Sequence, residues 1–364
     1  MKILYVTAKG GIHDYRFLKK MVNDYEVLML HYAADKLIEE IKNIPGLRII
    51  SKKPMRKSFP LLSEFRHFKK IVKNFKPSII HSGYVWQVGI LPAIHNLHPH
   101  LSMVWGSDIL IEPYKNLLIK KIVSRVMKQC DHIQCDAEFV KQRILNDYRV
   151  GSEKVTVFPW GIELDVFHQT NKTEARKKLN LDENKFIIIF NRNLEPVYGV
   201  NYMLDGFKKF SENNENAELI IVSDGSLRND VMKYISLNKL QSKVKLTGKV
   251  KNTEMADYLN AADVYTSPSL SDGSSLSLLE AMACGLGIIV SDVPAIKEWI
   301  SDQNGIIIPR ASSEAVCTAL MKYYVYKHLI ELHGQKNIKI AKERADWNKN
   351  YLKLKEIYKK ISSK

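Results

Sequence analysis

The sequence predicts an α/β protein that contains two doubly wound parallel sheets. Short apolar runs alternate with helical patterns along the chain, and this plan occurs twice. Such runs are typical of strands that helices cover on both faces. A chain of 364 residues is also long for a single core, so two domains are expected.

The first half contains six predicted strands, at residues 2–7, 26–30, 78–81, 101–105, 131–134 and 154–158. A short glycine loop follows the first strand, and a helical pattern then covers residues 15–22. The second half repeats the plan without detectable sequence similarity. Its predicted strands are residues 185–191, 218–222, 244–247, 264–267 and 287–291.

A polar stretch at residues 160–184 separates the two halves and is interpreted as a linker. Two sheets of this kind facing each other form a cleft at the carboxyl ends of their strands, where open α/β sheets bind ligands. We therefore expect the functional residues in the loops that follow the strands.

Composition limits the classes of protein. Hydrophobic residues make up 45% and charged residues 26%, as in soluble globular proteins. The chain start does not resemble a signal peptide, and no apolar run is long enough to span a bilayer. The four cysteines form no C-x-x-C pair and are predicted to be reduced core thiols of a cytosolic protein. A net charge of +16 suggests an anionic partner: phosphates, a membrane surface or nucleic acid.

Residues 267–285 carry the strongest motif. A strand ends at Ser267, a Gly- and Ser-rich turn follows, and an apolar helix begins near Ser275. The free N–H groups and positive dipole of a helix start can bind a diphosphate. Two acids, Asp272 and Glu280, flank seven residues of this segment.

This segment resembles the signature of glycosyltransferase family 4, in which two acids with this spacing precede an Ala-Met-Ala-x-Gly helix end. The resemblance implies that Asp272 contacts the donor sugar, although the family usually has Glu there. It implies that Glu280 binds the ribose hydroxyls; the alternative is a capping or surface acid. The residues between them are predicted to bind the donor: Gly273, Ser274, Ser275 and Leu276.

The resemblance also implies the GT-B fold, with two Rossmann-like domains facing each other across a cleft. The first would be the acceptor-side domain, comprising residues 1–165 and a C-terminal helix, 340–364, that returns to it. Residues 166–339 would bind the nucleotide sugar. The family further implies retention of anomeric configuration.

Arg192 follows the first strand of the second half and is predicted to stabilise the leaving diphosphate, since a guanidinium can bind phosphate oxygens in a bidentate fork. A surface salt bridge is the alternative. Family members have Arg, then Lys, then Gly-Val, whereas here Tyr198 replaces Lys before Gly199. Tyr198 can donate one hydrogen bond to the donor but has no charge, and Lys249 is the nearest candidate for the missing cation.

Gly10 and Gly11 would let the backbone approach a phosphate or sugar, unless they form only a tight turn. Asp108 is predicted to contact the acceptor or the sugar, with a helix N-cap as the alternative. Many family members have a His where this chain has Trp105, and Trp cannot act as an acid or base. His13 is a further residue that could face the cleft.

No metal or other cofactor is expected, and the nucleotide sugar is a co-substrate. His95, His98 and His100 have no acid or Cys near them in sequence, so a loop explains them better than a metal site. The chain also lacks the D-x-D pair that metal-dependent glycosyltransferases usually need.

Two basic amphipathic segments, residues 51–76 and 115–128, would suit the anionic face of a membrane. The alternative is a solvated helix face over the core, and nucleic acid is not expected because no known binding module occurs. The basic residues are Lys52, Lys53, Arg56, Lys57, Arg66, Lys69, Lys70, Lys73 and Lys76, then Lys115, Lys120, Lys121, Arg125 and Lys128.

We therefore predict a metal-independent retaining glycosyltransferase that moves a hexose-type sugar from a nucleotide diphosphate to a lipid-linked or cell-surface glycan acceptor. It would act in the cytoplasm, at the inner face of the cell membrane. The alternatives are a sugar-nucleotide epimerase or hydrolase, or a non-catalytic binding subunit of this fold. An NAD-dependent oxidoreductase does not fit, because the fingerprint glycines are missing. The sugar, base, acceptor and oligomeric state stay open.

Overall fold

The computed structural model describes residues 1–32, 37–52 and 62–363. It contains two compact units. Unit 1 comprises Met1–Phe158 and Tyr351–Lys364, and unit 2 comprises Pro159–Asn350. The boundary predicted between residues 165 and 166 lies a few residues beyond this division.

Unit 1 contains a seven-stranded parallel sheet in the order β3-β2-β1-β4-β5-β6-β7. The strands are β1 Lys2–Thr7, β2 Glu26–His31, β3 Arg48–Ser51, β4 Ile79–Gly83, β5 His100–Met103, β6 His132–Cys135 and β7 Val155–Val157. Its helices are α1 Ile12–Asp24, α2 Glu39–Lys42, α3 Leu62–Phe75, α4 Ile90–Ile94, α5 Ser107–Leu110, α6 Glu112–Lys115, α7 Leu117–Gln129 and α8 Glu138–Tyr148. The sequence prediction missed β3, because this edge strand is only partly buried and has just two apolar residues.

Unit 2 contains a six-stranded parallel sheet in the order β10-β9-β8-β11-β12-β13. Its strands are β8 Phe186–Phe190, β9 Ala217–Ile221, β10 Val244–Leu246, β11 Val264–Ser267, β12 Gly287–Ser291 and β13 Ile306–Ile308. Its helices are α9 Lys172–Lys178, α10 Val200–Glu212, α11 Arg228–Leu237, α12 Asn252–Ala261, α13 Leu276–Ala283, α14 Ser313–Val325 and α15 His328–Arg344, and the start of α16, Trp347–Ser362.

The central strand β8 shows why the strands of unit 2 are continuous apolar runs in the sequence. Ile187 and Ile189 pack into the core on one face, whereas Phe186, Ile188 and Phe190 pack into the core on the other. Each fully buried side chain of this size contributes about 1.5–3 kcal/mol. Helices therefore cover both faces, as the sequence predicted.

The stretch predicted as a linker contains α9 and belongs to unit 2. Arg176 on this helix is buried, and its guanidinium donates to the carbonyls of Ala261, Glu183 and Lys185. Its Nη2 lies 2.8 Å from the Asp263 carboxylate. The linker interpretation was wrong because polar composition does not reveal that one Arg satisfies several buried carbonyls.

The C-terminal helix predicted at residues 340–364 is two helices, α15 and α16, with a break between them. At the break, the Ile162 N–H donates to the Ala345 carbonyl at 2.7 Å, and the Trp347 N–H donates to the Ile162 carbonyl at 3.0 Å. The part of α16 in unit 1 is anchored through Tyr358, whose hydroxyl lies 2.6 Å from His81 Nδ1.

The apolar side chains of the first basic segment belong to the core, because Phe68, Ile71 and Phe75 of α3 are buried. The basic side chains on and after α3 are exposed: Arg66, Lys69, Lys70, Lys73 and Lys76. Lys53, Arg56 and Lys57 lie outside the described residues. The second segment differs, since Leu117 and Leu118 at the start of α7 are 78% and 55% exposed.

Candidate active site

Two neighbouring strands of unit 2 hold the candidate active site at their carboxyl ends. β8 and β11 pair in parallel, and Arg192 follows the first of them. A 3₁₀ turn, Pro196–Tyr198, comes next and leads into α10. Ser267 ends β11, and the glycine- and serine-rich loop runs from there to α13.

Gly199 brings these two loops into contact. Its φ is +70°, in the left-handed region that favours glycine, and a Cβ there would overlap the carbonyl oxygen of Pro268. The Leu270 N–H also donates to the Val197 carbonyl at 2.8 Å. The glycine after Tyr198 is therefore required by close backbone packing as well as by φ.

The Arg192 side chain lies in this junction and is 9% exposed. Its Nη2 lies 2.7 Å from Asp272 Oδ2. Its Nη1 donates to the hydroxyls of Ser275 and Ser277, the second at 3.0 Å. Its Cζ lies 4.1 Å from the centroid of the Tyr198 ring. Arg192 is thus held by a carboxylate, two hydroxyls and an aromatic face, and the alternative of a surface salt bridge does not describe it.

Burial governs the electrostatics of this pair. Burial raises the pKa of Asp272 above its usual range, and the attraction of Arg192 offsets part of that shift. For Arg192, burial alone would lower the pKa, but the Asp272 carboxylate raises it, so the guanidinium stays charged. The site therefore contains a buried cation beside a carboxylate that is costly to ionise.

Most of the other residues that the sequence predicted to bind the donor lie on or near α13. Ser275 is the N-cap, and its hydroxyl accepts from the Leu278 N–H at 3.5 Å. The Gly273 N–H donates to Asp272 Oδ1 at 3.0 Å, Ser274 is buried, and Leu276 begins the helix. Glu280 is half-buried on the second turn.

Lys249 is exposed in the loop between β10 and α12. The neighbouring Gly248 has a φ of +80°, and a Cβ there would lie 3.6 Å from Arg228 Nη1. Sequence reasoning missed Arg228, a second cation at this loop. It also missed Ser277, which contacts Arg192 and lies 2.9 Å from the Tyr265 hydroxyl. The Ser-x-Ser spacing with Ser275 was the available signal.

In unit 1, the loop after β1 is organised by a buried acid, Asp14. Its carboxylate accepts from the Tyr5 hydroxyl at 2.8 Å and from the Gly11 N–H at 3.0 Å. Gly10 has a φ of +59°, and a Cβ on it would lie 2.7 Å from His31 Nε2. The glycine loop is therefore a tight, supported turn, and its role in donor binding stays a prediction.

Asp108 is fully buried and connects two loops of unit 1. Its oxygens accept from the Val85 and Trp105 N–H groups, both at 3.0 Å. The alternative role as helix N-cap was wrong, since Gly106 occupies that position of α5. Burial raises the pKa of Asp108 to about 6, Glu112 adds to the shift, and the two N–H donors oppose it. A direct contact with substrate stays a prediction.

Aromatic residues that the sequence did not single out lie beside Asp108. The Tyr84 hydroxyl lies 3.0 Å from Ser107 Oγ and donates to Glu112, which also accepts from Trp86 Nε1. Lys9 Nζ lies 4.4 Å from the centroid of the Tyr84 ring. The same unit holds His13 edge-on to Trp105, with ring centroids 5.3 Å apart.

The three histidines considered for a metal each have separate partners. His95 Nε2 lies 3.1 Å from the Phe65 carbonyl, His98 Nδ1 2.8 Å from Asp131, and His100 Nε2 2.8 Å from Ser82 Oγ. Burial lowers the pKa of His100 to about 3. Within residues 1–32, 37–52 and 62–363, no three His, Cys, Asp or Glu side chains are placed to hold a metal ion.

Two family models match the chain and together cover most of it. The model described as glycosyl transferases group 1 matches residues 171–326, and the model described as glycosyl transferase 4-like matches residues 2–137. The first match contains the complete Arg192 site. The chain belongs to glycosyltransferase family 4.

Relatives and solved structures agree with this assignment. Alpha-monoglucosyldiacylglycerol synthase from Streptococcus pneumoniae is 28% identical over 260 residues, which cover 66% of this glycosyltransferase and 58% of that protein. Sucrose-phosphate synthase from Thermosynechococcus elongatus has a TM-score of 0.86 at 17% identity, over 100% of both chains. HepE from Anabaena, in complex with UDP-glucose, has a TM-score of 0.81 at 15% identity, over 99% of this chain and 100% of its own. The fold is GT-B.

At two positions of the site, the family resemblance implies Glu and Lys, where this chain has Asp272 and Tyr198. Both side chains contact the guanidinium of Arg192. Across the part of the chain that the structure describes, no helix is both long and apolar enough to cross a membrane.

Proposed function

We propose that this family 4 glycosyltransferase moves a hexose, with retention of configuration, from a nucleoside diphosphate sugar to an acceptor at the membrane, either a diacylglycerol lipid or a lipid-linked or cell-surface glycan. The observation that carries the proposal is the buried Arg192 beside the start of α13. A buried guanidinium and a helix N-terminus are both suited to stabilise a diphosphate. We take the donor to be a uridine diphosphate hexose, since HepE was solved with UDP-glucose.

In the proposed reaction, the bond between the anomeric carbon and the diphosphate oxygen breaks, and the pair of electrons leaves with the diphosphate. Arg192 and the N–H groups at the start of α13 stabilise the charge that develops there. The acceptor hydroxyl attacks the anomeric carbon from the same face, and its proton passes to the departing phosphate oxygen. Glu280 binds the ribose and Asp272 binds the sugar. No metal is required in this scheme, because the protein cations neutralise the diphosphate.

The acceptor side of the proposal rests on unit 1. Exposed apolar side chains lie on α6 and at the start of α7: Tyr114, Leu117 and Leu118, which are 48%, 78% and 55% exposed. Exposed basic side chains accompany them: Lys115, Lys120 and Lys121. Apolar insertion and about 1 kcal/mol per basic residue near an anionic lipid surface would bring the enzyme to a lipid acceptor at the cytoplasmic face of the membrane. The S. pneumoniae relative is itself named for a diacylglycerol product.

A thermal-shift panel with UDP, GDP and ADP, each with and without EDTA, tests the donor proposal. A nucleotide at about 100 times its Kd should add roughly 2.7 kcal/mol of stability. We expect UDP to produce this shift regardless of EDTA. A shift with GDP or ADP alone would contradict the assigned base, and loss of the shift in EDTA would contradict metal independence.

Turnover tests the reaction. With UDP-glucose and dioleoylglycerol in vesicles containing phosphatidylglycerol, we expect UDP and a glucosylated lipid in equal amounts. Free glucose without lipid product would favour a hydrolase, and an epimerised nucleotide sugar would favour an epimerase. Arg192→Ala should lower kcat by roughly 10²–10³, as loss of a transition-state donor does. A near-normal rate would exclude this role for Arg192.

A further inference from the structure

We propose that Tyr198 is a positioning residue that holds the Arg192 guanidinium with its ring and does not itself bind the donor phosphates. This inference rests on the proposed function, in which Arg192 stabilises the leaving diphosphate. It assigns a specific role to the residue that replaces the family lysine. Its consequence is that the ring of Tyr198, and not its hydroxyl, supports catalysis.

The geometry places the Tyr198 ring between the cation and the core. Arg192 Cζ lies 4.1 Å from the ring centroid, a distance at which a cation and an aromatic face attract each other. Tyr198 is half-buried and packs against the apolar cluster of β8, α10 and α14. It ends the 3₁₀ turn that begins at Pro196, and the left-handed Gly199 follows. The ring is therefore held by its apolar contacts with the core and by the fixed backbone of the 3₁₀ turn.

The other contacts of Arg192 lie at the edge of its guanidinium. Asp272 Oδ2 forms an ion pair with Nη2 at 2.7 Å, and the serine hydroxyls accept hydrogen bonds from Nη1. These partners fix the two terminal nitrogens, and the ring of Tyr198 fixes the face. The Tyr198 hydroxyl also interacts with the guanidinium, so the Phe variant is needed to separate the ring from the hydroxyl. In the described part of the chain, Arg192 Nε is buried and has no hydrogen-bond partner. The plane of the guanidinium is thus set before a ligand binds.

The ring has a further electrostatic advantage beside this ion pair. A lysine at position 198 would place a second cation, an ammonium, next to the guanidinium, and the two would share Asp272. An aromatic face attracts the guanidinium, whereas a neighbouring ammonium would repel it and compete with it for the Asp272 carboxylate. The Tyr for Lys and Asp for Glu departures therefore fit together, since both side chains contact the same cation.

The test compares Tyr198→Phe, which keeps the ring, with Tyr198→Leu, which removes it. A matched control is Tyr324→Leu, because Tyr324 is also half-buried, packs against the same apolar cluster and has Lys327 Nζ 5.8 Å from its ring centroid. Tyr324 contacts Phe186, at the opposite end of β8 from Arg192. The unliganded melting temperature of each variant reports whether it folds.

For UDP release from UDP-glucose with dioleoylglycerol vesicles, we expect Tyr198→Phe to keep kcat within about 2-fold. Tyr198→Leu should lower kcat by roughly 10- to 100-fold and change the donor KM by less than about 3-fold, because Arg192 acts mainly as charge develops in the transition state. Tyr324→Leu should leave both constants near the wild-type values. Equal loss in the Phe and Leu variants, or normal kcat in the Leu variant, would overturn the inference.

Pyrophosphate titration, followed by thermal shift, separates this inference from the proposed function. If the wild type releases no UDP and UDP does not stabilise it, the proposed function fails. Pyrophosphate carries the additional negative charge that develops on the departing diphosphate, so its binding reports on the position of the Arg192 guanidinium. The inference expects Tyr198→Leu to weaken pyrophosphate binding by about 10-fold and Tyr198→Phe to leave it unchanged. Equal pyrophosphate affinity in the two variants and the wild type would reject the positioning role on its own.

Discussion

The carboxylate of Asp272 and the guanidinium of Arg192 form a buried ion pair, with Oδ2 and Nη2 2.7 Å apart and side chains 12% and 9% exposed. A phosphate oxygen is the other natural partner of this guanidinium, so carboxylate and diphosphate are expected to share it. Removing one member of a buried pair leaves an uncompensated charge, which typically costs about 3–5 kcal/mol.

Asp272→Asn should therefore destabilise the unliganded protein by about 3 kcal/mol, and pyrophosphate should restore more stability to the variant than to the wild type. Denaturation with and without pyrophosphate measures both effects. Asp263→Asn is the matched control, since Asp263 pairs with the buried Arg176 at 2.8 Å at the opposite end of the sheet. That variant should lose stability that pyrophosphate does not restore. Equal recovery in both variants would contradict competition for Arg192.

Gly199→Ala should destabilise the protein and impair donor binding. The new Cβ would overlap the Pro268 carbonyl oxygen, so the backbone that joins the two loops of the site must shift. Gly46→Ala is the control, because Gly46 has a similar φ of +78° but nothing within 4 Å of the Cβ position among the described residues. It should lose only about 1 kcal/mol, from the left-handed backbone. Equal losses of stability in the two variants would show that the Pro268 contact does not matter.

Asp108 should make stability depend on pH in the acidic range. Its folded pKa is raised to about 6 by burial, so between its ordinary pKa near 4 and pH 6 the native state binds more protons than the unfolded state. The free energy of unfolding should then fall as pH rises through this window and level off above it. Asp108→Asn should lack this component, which denaturant titrations at pH 4.5 and 7 would detect. An identical pH dependence in both proteins would contradict the raised pKa.

Glu280→Ala should raise the donor KM by roughly 10-fold and leave kcat nearly unchanged, as expected for loss of a hydrogen bond from a charged group to the ribose. Steady-state kinetics with varied UDP-glucose measures both constants. Glu280→Gln keeps one acceptor oxygen, so its donor KM should lie between the values of the wild type and Glu280→Ala. An unchanged KM in the Ala variant would show that Glu280 does not contact the ribose.

Leu117→Asp with Leu118→Asp should reduce binding to vesicles that contain phosphatidylglycerol, because the change removes apolar area and adds negative charge beside the lysines of α7. Leu237→Asp is the control, since Leu237 is 73% exposed on α11 of unit 2. Co-sedimentation at low and high salt measures the effect. Equal binding by the double variant and the wild type would place the membrane contact elsewhere.

The sequence predicted those elements whose residues are buried on every side. Strands such as β8 are apolar throughout because helices cover both faces, and this composition is visible without a structure. The edge strand β3 was missed because it is only partly buried, and helix α9 was missed because its two buried residues are an alanine and an arginine. The break between α15 and α16 depends on a backbone bridge to Ile162, which lies far away in sequence.

The sequence alone predicted most residues of the candidate site, since Arg192, Asp272 and the serines of the α13 loop carry the chemistry that a diphosphate needs, but it missed Ser277. Only the tertiary structure decided how they are used. Arg192 and Asp272 are 80 positions apart, and parallel pairing of β8 with β11 brings their loops together. The close packing of Gly199 on Pro268 then sets the Tyr198 ring against the guanidinium. Such contacts depend on the distance between folded loops, which local residue pattern does not specify.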